Sequence, residues 1–339
     1  MPRVPHQALP RRRRKLPTDL DDSRWLAAAA CLAERARPLS RPNPGVGAIV
    51  VRGGIVIGRG WTQPGGRPHA EAVALAEAGP AARGATLYVT LEPCAHRSQR
   101  GPACADIVAE AGLARVVAGV ADPDPRTAGQ GLARLRDAGI AAECANHSGA
   151  RASLAGYLMQ RNEGRPHVTL KLATSLDGFI ATASGESRWI TGPAARAHAH
   201  RERARCDAIL VGGGTLRADT PALDVRLPGL EQRSPRRLVL TGESVPEGWS
   251  ALPEPCAIQS LSDVQYLLVE GGAAAAASFL AAGLVDRLLL YRAPILIGGG
   301  LPGLRDIGLP SLAGAHGTWR LADRRSFAPD TLEIYDRAR

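Results

Sequence analysis

The run TLYVTLEPCAHRSQRGPACAD, residues 86–106, decides how this chain is read, together with PHAEAVALAEA at residues 68–78. The first starts as a β-rich strand, Thr86–Thr90, which delivers Glu92-Pro93-Cys94 to its end. Cys104 then opens a helix reaching Ala111. The second is a helix, His69–Ala78, whose first turn carries His69 and Glu71. Two helix N-termini at a strand end favour thiolates and anions through the helix dipole. His69, Cys94 and Cys104 are the N/S donors for one Zn2+ with a fourth position open to water, and Glu71 is a carboxylate outside the ligand set. These are the parts of a zinc-dependent nucleobase deaminase. Zinc lowers the pKa of a bound water from about 15.7 to about 7, so hydroxide is at hand to attack an amidine-like ring carbon while Glu71 moves protons. A lone histidine is usually a core or surface residue and Pro-Cys alone is noise; the ordered combination is neither. Nine residues separate the two cysteines, where the usual signature is PCxxC. The loop Ala95–Ala103 therefore bulges out with His96, Arg97 and Arg100, charges that suit an anionic substrate tail.

Around this core, hydrophobic and turn patterns alternate. Residues 21–40 read as a helix capped by Asp21, Asp22 and Ser23 and broken at Arg41-Pro42-Asn43-Pro44. Val46–Val51 and Ile55–Arg59 form a hairpin about Gly53-Gly54. Val116–Val120 and Ile140–Glu143 read as strands, with a helix over Gly131–Ala138 between them. The pattern predicts an α/β layered domain with mostly parallel later strands. A helix at Ser153–Arg161 and the joint Asn162–Pro166 follow, and then a second α/β run from His167. The expected division is a disordered basic tail (1–20), a deaminase domain (21–145), a linker helix and joint (146–166) and a second domain (167–339).

Composition excludes several classes. Net charge is +10, but six cations (Arg3, Arg11–Arg14 and Lys15) fall in the first 16 residues, a solvated tail. Aromatic residues are 4%, too few for an obvious single-strand stacking platform. No apolar stretch reaches the roughly 18 residues of a membrane span. Six scattered cysteines, two of them claimed by zinc, suit a reducing cytoplasm.

In the second half, Val269-Glu270-Gly271-Gly272 ends a strand and opens an alanine-rich helix, where backbone N–H groups can approach a phosphate. Gly212-Gly213-Gly214 is a similar loop, and no GxGxxG is present. Lys171, Asp177, Ser187, Arg203, Thr215, Asp219 and Arg226 add polar groups fit for a phosphorylated ligand. Only two of the 42 basic residues are lysine, so Lys171 is a compact ammonium in a chain that otherwise uses guanidinium forks. From residues alone, a second enzyme and a structural or dimerising domain remain equally open.

Taken in order, PNPGVGAIVV, PHAEAVAL, TLEPCAH, GPACAD, DPDPRTAGQG, LKLATSLDGFIATASGESRWIT, ADTPALDVR and LVEGG resemble the bifunctional riboflavin-biosynthesis deaminase/reductase family from about Asp21 to the C-terminus. The resemblance implies a cytidine-deaminase-like three-layer α/β/α domain and a dihydrofolate-reductase-like α/β domain. It implies deamination of 2,5-diamino-6-(5-phosphoribosylamino)pyrimidin-4-one, then NADPH reduction of the ribosyl to a ribityl group. His69, Cys94 and Cys104 match the zinc ligands and Glu71 the proton shuttle. Asn43 matches a residue holding the pyrimidine; His96, Asp122 and Asp124 match the ribose-phosphate side, Asp124 replacing a more usual Asn. Ala173, Trp189, Thr215, Asp219 and Gly272, Ala273, Ala274, Ala275, Ala276, Ala277 and Ser278 fall where the family binds NADPH. Ser187, Arg203, Leu223, Arg226 and Glu270 fall where it binds substrate. Lys171 and Glu270 are the expected polar pair, facing each other across the pocket mouth and orienting the opened sugar imine. Core packing is the plain alternative for Trp189 and Leu223.

Only 43 residues separate Arg226 from Glu270. Thr241–Val264 holds Gly, Pro, Glu and Trp where more strand and helix are expected. The alternative this keeps open is a single-step deaminase with a non-catalytic nucleotide-binding or assembly module. The expected protein is a cytoplasmic homo-oligomer acting on a phosphorylated pyrimidine, with no nucleic-acid or membrane partner.

Overall fold

The computed structural model describes residues 17–96 and 98–338; the basic run Arg11–Lys15 and Arg97 lie outside them. The chain divides into two compact units. The first comprises residues up to Glu34, Val46–Trp61 and Pro68–Ser153, and the second comprises Arg35–Gly45, Thr62–Arg67 and Leu154 onward.

In the first unit, α1 (Pro17–Ala33) precedes the hairpin β1 (Gly47–Arg52) and β2 (Ile55–Trp61). Then come α2 (Ala70–Ala78), β3 (Thr86–Val89), α3 (Cys104–Glu110), β4 (Arg115–Ala118), α4 (Gln130–Asp137), β5 (Ala141–Cys144) and α5 (Ser148–Ser153). The sheet order is β2-β1-β3-β4-β5, with β1 antiparallel to both neighbours and β3, β4 and β5 parallel. Leu26 and Ala29 of α1 pack on Ile49, Val51, Tyr88 and Val117, the alternate residues of one sheet face. The first helix begins at Pro17, inside the stretch assigned to the tail, and ends at Ala33 rather than 40. Asp22 is not a cap. It is buried within the helix, where it accepts Tyr88 Oη at 2.7 Å and a two-pronged Arg115 guanidinium at 2.8 and 2.7 Å.

The second unit opens with α6 (Ala155–Glu163), so the expected linker helix is two helices parted at Leu154. It continues with β6 (His167–Thr174), β7 (Phe179–Thr182), α7 (Pro193–Arg203), β8 (Ala208–Gly212), α8 (Gly213–Asp219), β9 (Arg236–Leu240) and β10 (Trp249–Leu252). The chain closes with β11 (Tyr266–Glu270), α9 (Ala273–Ala281), β12 (Arg287–Arg292), β13 (Gly300–Pro302), β14 (Trp319–Phe327) and β15 (Asp330–Arg337). Eight strands run β10-β9-β8-β11-β6-β12-β15-β14, parallel through β12 and antiparallel beyond it, while β13 and β7 pair separately. The central strands are apolar on both faces, as covered parallel strands are. Leu210, Leu267 and Val269 join Phe279 of α9 in one cluster, and Ile209, Val211 and Leu268 join Tyr266 and Leu223 in another.

The short region after Arg226 still supplies strand β10 and a 3-10 turn, Pro255–Ser260, which bring Leu252 and Ile258 into the core. Arg165, read as part of an open joint, is buried in a two-pronged ion pair with Asp286 at 2.8 and 2.9 Å. Among the described residues, no helix is long and apolar enough to cross a membrane.

Candidate active sites

In the first unit, the residue before α2, the end of β3 and the first residue of α3 converge. His69 occupies the N-cap position of α2 with extended backbone, Cys104 is the first residue of α3, and Cys94 follows β3. The ligand atoms of His69, Cys94 and Cys104 all lie within 4.8 Å of one another. His69 Nδ1 is 3.1 Å from Cys104 Sγ and 3.7 Å from Cys94 Sγ. The Cys104 N–H donates to Cys94 Sγ at 3.3 Å. A hydrogen bond from the Cys104 thiol outweighs burial and pulls Cys94 down to about 4, while the same partnership and burial push Cys104 up. Two cysteine sulfurs and an imidazole nitrogen in a triangle fit a zinc ion. Glu71, in the first turn of α2, is buried, and that burial raises its carboxyl above the ordinary range. A carboxyl raised in this way keeps its proton to higher pH than a free carboxylate and can pass it on.

The loop side of this site hangs on a residue that the sequence reading treated only as a neighbour. Glu92 is buried and accepts three backbone N–H groups: Asp122 at 3.2 Å, Gly129 at 3.0 Å and Leu132 at 3.1 Å. A carboxylate that caps a helix start and a turn together is visible only once the loop is folded against β3. Gly131 is required in this packing, because a Cβ there would stand 1.9 Å from the Pro93 carbonyl oxygen. Asp122 and Asp124 are buried, Asp122 accepting the Asp124 N–H at 3.0 Å and Asp124 pairing two-pronged with Arg126. His96 Nδ1 is 3.4 Å from Thr127 Oγ1. Asn43 packs with the second unit and donates through Nδ2 to the Gly66 carbonyl at 2.8 Å.

In the second unit, a cavity of about 870 Å³ opens at the C-terminal ends of the parallel strands. It gathers every expected substrate residue of this half, Ser187, Arg203, Leu223, Arg226 and Glu270, with Lys171. Of the expected cofactor residues, Ala173, Trp189, Thr215 and Asp219 line it. Gly271 lines it as well, and Gly272 follows at the start of α9 with φ +77°. A Cβ on Gly272 would meet Thr215 Oγ1 at 2.9 Å, so the chain keeps this shelf bare. The shelf, the helix start and the cavity together fit a phosphorylated dinucleotide. Ala275, Ala276 and Ala277 are packed inside the unit, which leaves the backbone, the exposed Ala274 and the half-buried Gly272, Ala273 and Ser278 as the reachable parts of that run.

The charge arrangement differs from the expected facing pair. Lys171 and Glu270 are register partners on adjacent parallel strands, and Lys171 Nζ stands 3.9 Å from Glu270 Oε2. The close partner of Glu270 is Arg203, which donates Nε and Nη2 at 2.7 and 2.8 Å. Burial alone would raise Glu270; Arg203 and then Lys171 more than offset it and hold the carboxyl down at about 2. Alternation put Lys171 and Glu270 on strands but could not show their strands adjacent, nor that Arg203 arrives from α7. Trp189 is 62% exposed beneath the Arg196 guanidinium, so it is no core residue. Leu223 is buried and left-handed (φ +52°), a conformation that bulky residues rarely hold outside a constrained site. His200, on the cavity wall with Nδ1 3.1 Å from the Asp224 carbonyl oxygen, gave no separate sequence signal.

Comparisons with known proteins agree across both units. Residues 20–120 match the family model for the cytidine and deoxycytidylate deaminase zinc-binding region, and residues 166–250 and 257–332 match that of the RibD C-terminal domain. The chain is 38% identical to the riboflavin biosynthesis protein RibD of Escherichia coli, over 92% of this chain and 98% of that one. It is 40% identical to RibD of Mycobacterium tuberculosis, over 86% and 90%. Among solved structures, Acinetobacter baumannii RibD superposes with a TM-score of 0.82 at 34% identity, covering 95% of this chain and all of that one. A Thermotoga maritima diaminohydroxyphosphoribosylaminopyrimidine deaminase/5-amino-6-(5-phosphoribosylamino)uracil reductase gives 0.82 at 29% identity with the same coverage.

Proposed function

Because this chain belongs to the family of bifunctional riboflavin-biosynthesis deaminase/reductases, we propose the following division of labour among its residues. The chain deaminates 2,5-diamino-6-(5-phosphoribosylamino)pyrimidin-4-one and reduces the resulting ribosylaminouracil to 5-amino-6-(5-phosphoribitylamino)uracil. The observation that carries the residue assignment is the pairing of two separate assemblies, the His69, Cys94 and Cys104 triangle beside Glu71 and the Lys171, Arg203 and Glu270 cavity.

His69, Cys94 and Cys104 hold one zinc ion, which supplies a water acidified to near-neutral pKa. Glu71 takes one proton from the attacking water and delivers it to a ring nitrogen, then takes the remaining hydroxyl proton of the adduct and passes it to the departing ammonia. Asn43 holds the pyrimidine edge through an amide that both donates and accepts. His96 and Asp122 shape the ribose-phosphate side.

In the cavity, NADPH supplies the hydride. Ala173, Trp189, Thr215, Asp219 and the bare shelf at Gly271-Gly272 receive the cofactor, while Ser187, Leu223 and Arg226 receive the substrate. Glu270, fixed by Arg203, orients the opened sugar, and the Lys171 ammonium supports the group that gains electron density. Lysine does this from a smaller volume than arginine.

The free state of the six cysteines supports work in a reducing cytoplasm. No nucleic acid or membrane is required by either site.

Product analysis of the purified chain tests the assignment. Pyrimidine substrate alone should yield ammonia and the ribosylaminouracil; adding NADPH should convert it to the ribityl product. Ammonia release with no ribityl product in the presence of NADPH overturns the reductase half.

A further inference from the structure

We propose that His200 is a substrate-binding residue of the second unit's cavity: its Nε2–H donates to the phosphate of the pyrimidine substrate, beside the Arg226 guanidinium. The proposal rests on the reading of this cavity as the reductase site, with Arg226 among the residues that receive substrate.

His200 and Arg203 stand three residues apart on α7, so they share one face of the helix, and both line the cavity. Arg203 is fully committed, with two nitrogens on Glu270 and Nη1 donating to the Asp224 carbonyl at 3.0 Å. His200 places Nδ1 3.1 Å from that same carbonyl oxygen and 3.3 Å from the Arg226 backbone nitrogen. One ring nitrogen cannot donate to the carbonyl and accept from the amide at once. The carbonyl already has the Arg203 donor, whereas among the described residues the Arg226 N–H has His200 alone. That balance makes Nδ1 the acceptor and puts the ring hydrogen on Nε2. Burial, with Arg203 and Arg226 adjacent, lowers His200 below the usual histidine range, so the ring is neutral at neutral pH and this tautomer is available. Nε2 has no hydrogen-bond partner among the described residues and is not sealed in the interior either, so its N–H is open to the cavity.

The neighbouring cations identify what this donor meets. Lys171 stands beside Glu270, Arg196 lies over Trp189, and Arg188 is 3.8 Å from Asp219, on the side read as the cofactor's. Arg226 is held only by Asp224, with Nε 3.4 Å from Oδ1 and both side chains exposed. An ion pair of that kind is weak, so the guanidinium can turn to a bound anion at little cost. Because Nδ1 grips the backbone of Arg226 itself, the imidazole N–H and the guanidinium are fixed as a pair. A phosphate takes such paired donors well, since hydrogen bonds to charged oxygens are roughly twice as strong as neutral ones.

The test uses the full chain and two probes, 5-amino-6-(5-phosphoribitylamino)uracil and the same compound without its phosphate, titrated by calorimetry. The parent should bind the phosphorylated probe more tightly. His200→Ala should weaken that probe by about 10- to 100-fold, the scale of a lost hydrogen bond to a charged group, and leave the phosphate-free probe near its parental affinity. Two conservative variants separate the donor from the backbone grip. Asparagine can reproduce the Nδ1 acceptor but reaches no farther, so His200→Asn should lose the preference for phosphate as alanine does. Glutamine carries an amide N–H toward the Nε2 position, so His200→Gln should recover part of it. In turnover, the loss should fall on KM for the phosphorylated ribosylaminouracil, with kcat nearly unchanged. Parental preference in His200→Ala or in His200→Asn overturns the proposal, as does an equal loss for both probes or a parent without preference. Arg226→Gln separates the premise from the proposal. If it keeps the full preference, the reading of Arg226 fails; if it loses the preference while His200→Ala does not, only the role of His200 fails. A parent that binds as expected yet never oxidises NADPH removes the reductase reading and leaves the phosphate contact standing.

Discussion

Replacing Glu270 by glutamine should cost stability in a way that disappears in acid. Glu270 is 6% exposed and is held at about 2 against an ordinary value of 4.5, burial being outweighed by Arg203 and Lys171. Its folded value is depressed, so its contribution is fully present above the unfolded value and is lost as pH falls from about 4.5 toward about 2. The displacement corresponds to about 3 kcal/mol at pH 7, with less than about 1.5 kcal/mol remaining at pH 3. Urea unfolding read by tryptophan fluorescence suits the measurement, because Trp189, Trp249 and Trp319 all lie in this unit. The gap between parent and Glu270→Gln should narrow by about 2 kcal/mol from pH 7 to pH 3. A gap that stays constant or widens over that range refutes the argument that Arg203 and Lys171 hold this carboxylate ionised.

Other outcomes follow from the two sites. Cys94→Ser should lose zinc by metal analysis while exposed Cys31→Ser keeps it; equal zinc in both would contradict the ligand assignment. Glu71→Gln should retain zinc yet deaminate about 10²- to 10⁴-fold more slowly, and near-native turnover would mean that another group moves the proton. Lys171→Arg should abolish most NADPH oxidation and accumulate the ribosylaminouracil at an unchanged deamination rate; reduction at the parental rate would remove the argument from ammonium size. Gly131→Ala should lower the melting temperature of the first unit and speed zinc loss to a chelator, because its Cβ has no room against Pro93. A fully stable variant would show that the backbone there can move.

How far the sequence could be read follows from what each signal depends on. The zinc triangle was legible because its members sit at element ends, which hydrophobic periodicity and a Pro-Cys break mark directly. The central strands of both sheets were legible as apolar runs. Strands β14 and β15 were not, since β14 is largely exposed and carries Arg320, Arg324 and Arg325 where a sheet face is expected to be apolar. Partners across the chain were also hidden. Arg203 pairs with Glu270 over 67 positions and Arg165 with Asp286 over 121, and no local spacing encodes either. The expected facing of Lys171 and Glu270 failed for a related reason: strand order decides whether two strand residues are opposed or side by side, and strand order is a property of the whole sheet.

Glu92 grips the loop over residues 122–132 by three peptide N–H groups and by no side chain at all. Such an anchor is blind to the letters of the loop it holds. Side chains there can be exchanged, and the mouth of the deaminase reshaped for a different sugar or phosphate, without loosening the hook. Proline breaks that freedom at positions 122, 129 and 132, because it removes the very hydrogen that the carboxylate reads, and Gly131, with no room for a Cβ against Pro93, is the other fixed letter. A lineage remodelling this loop is thus constrained less by what it inserts than by where it forgoes an amide.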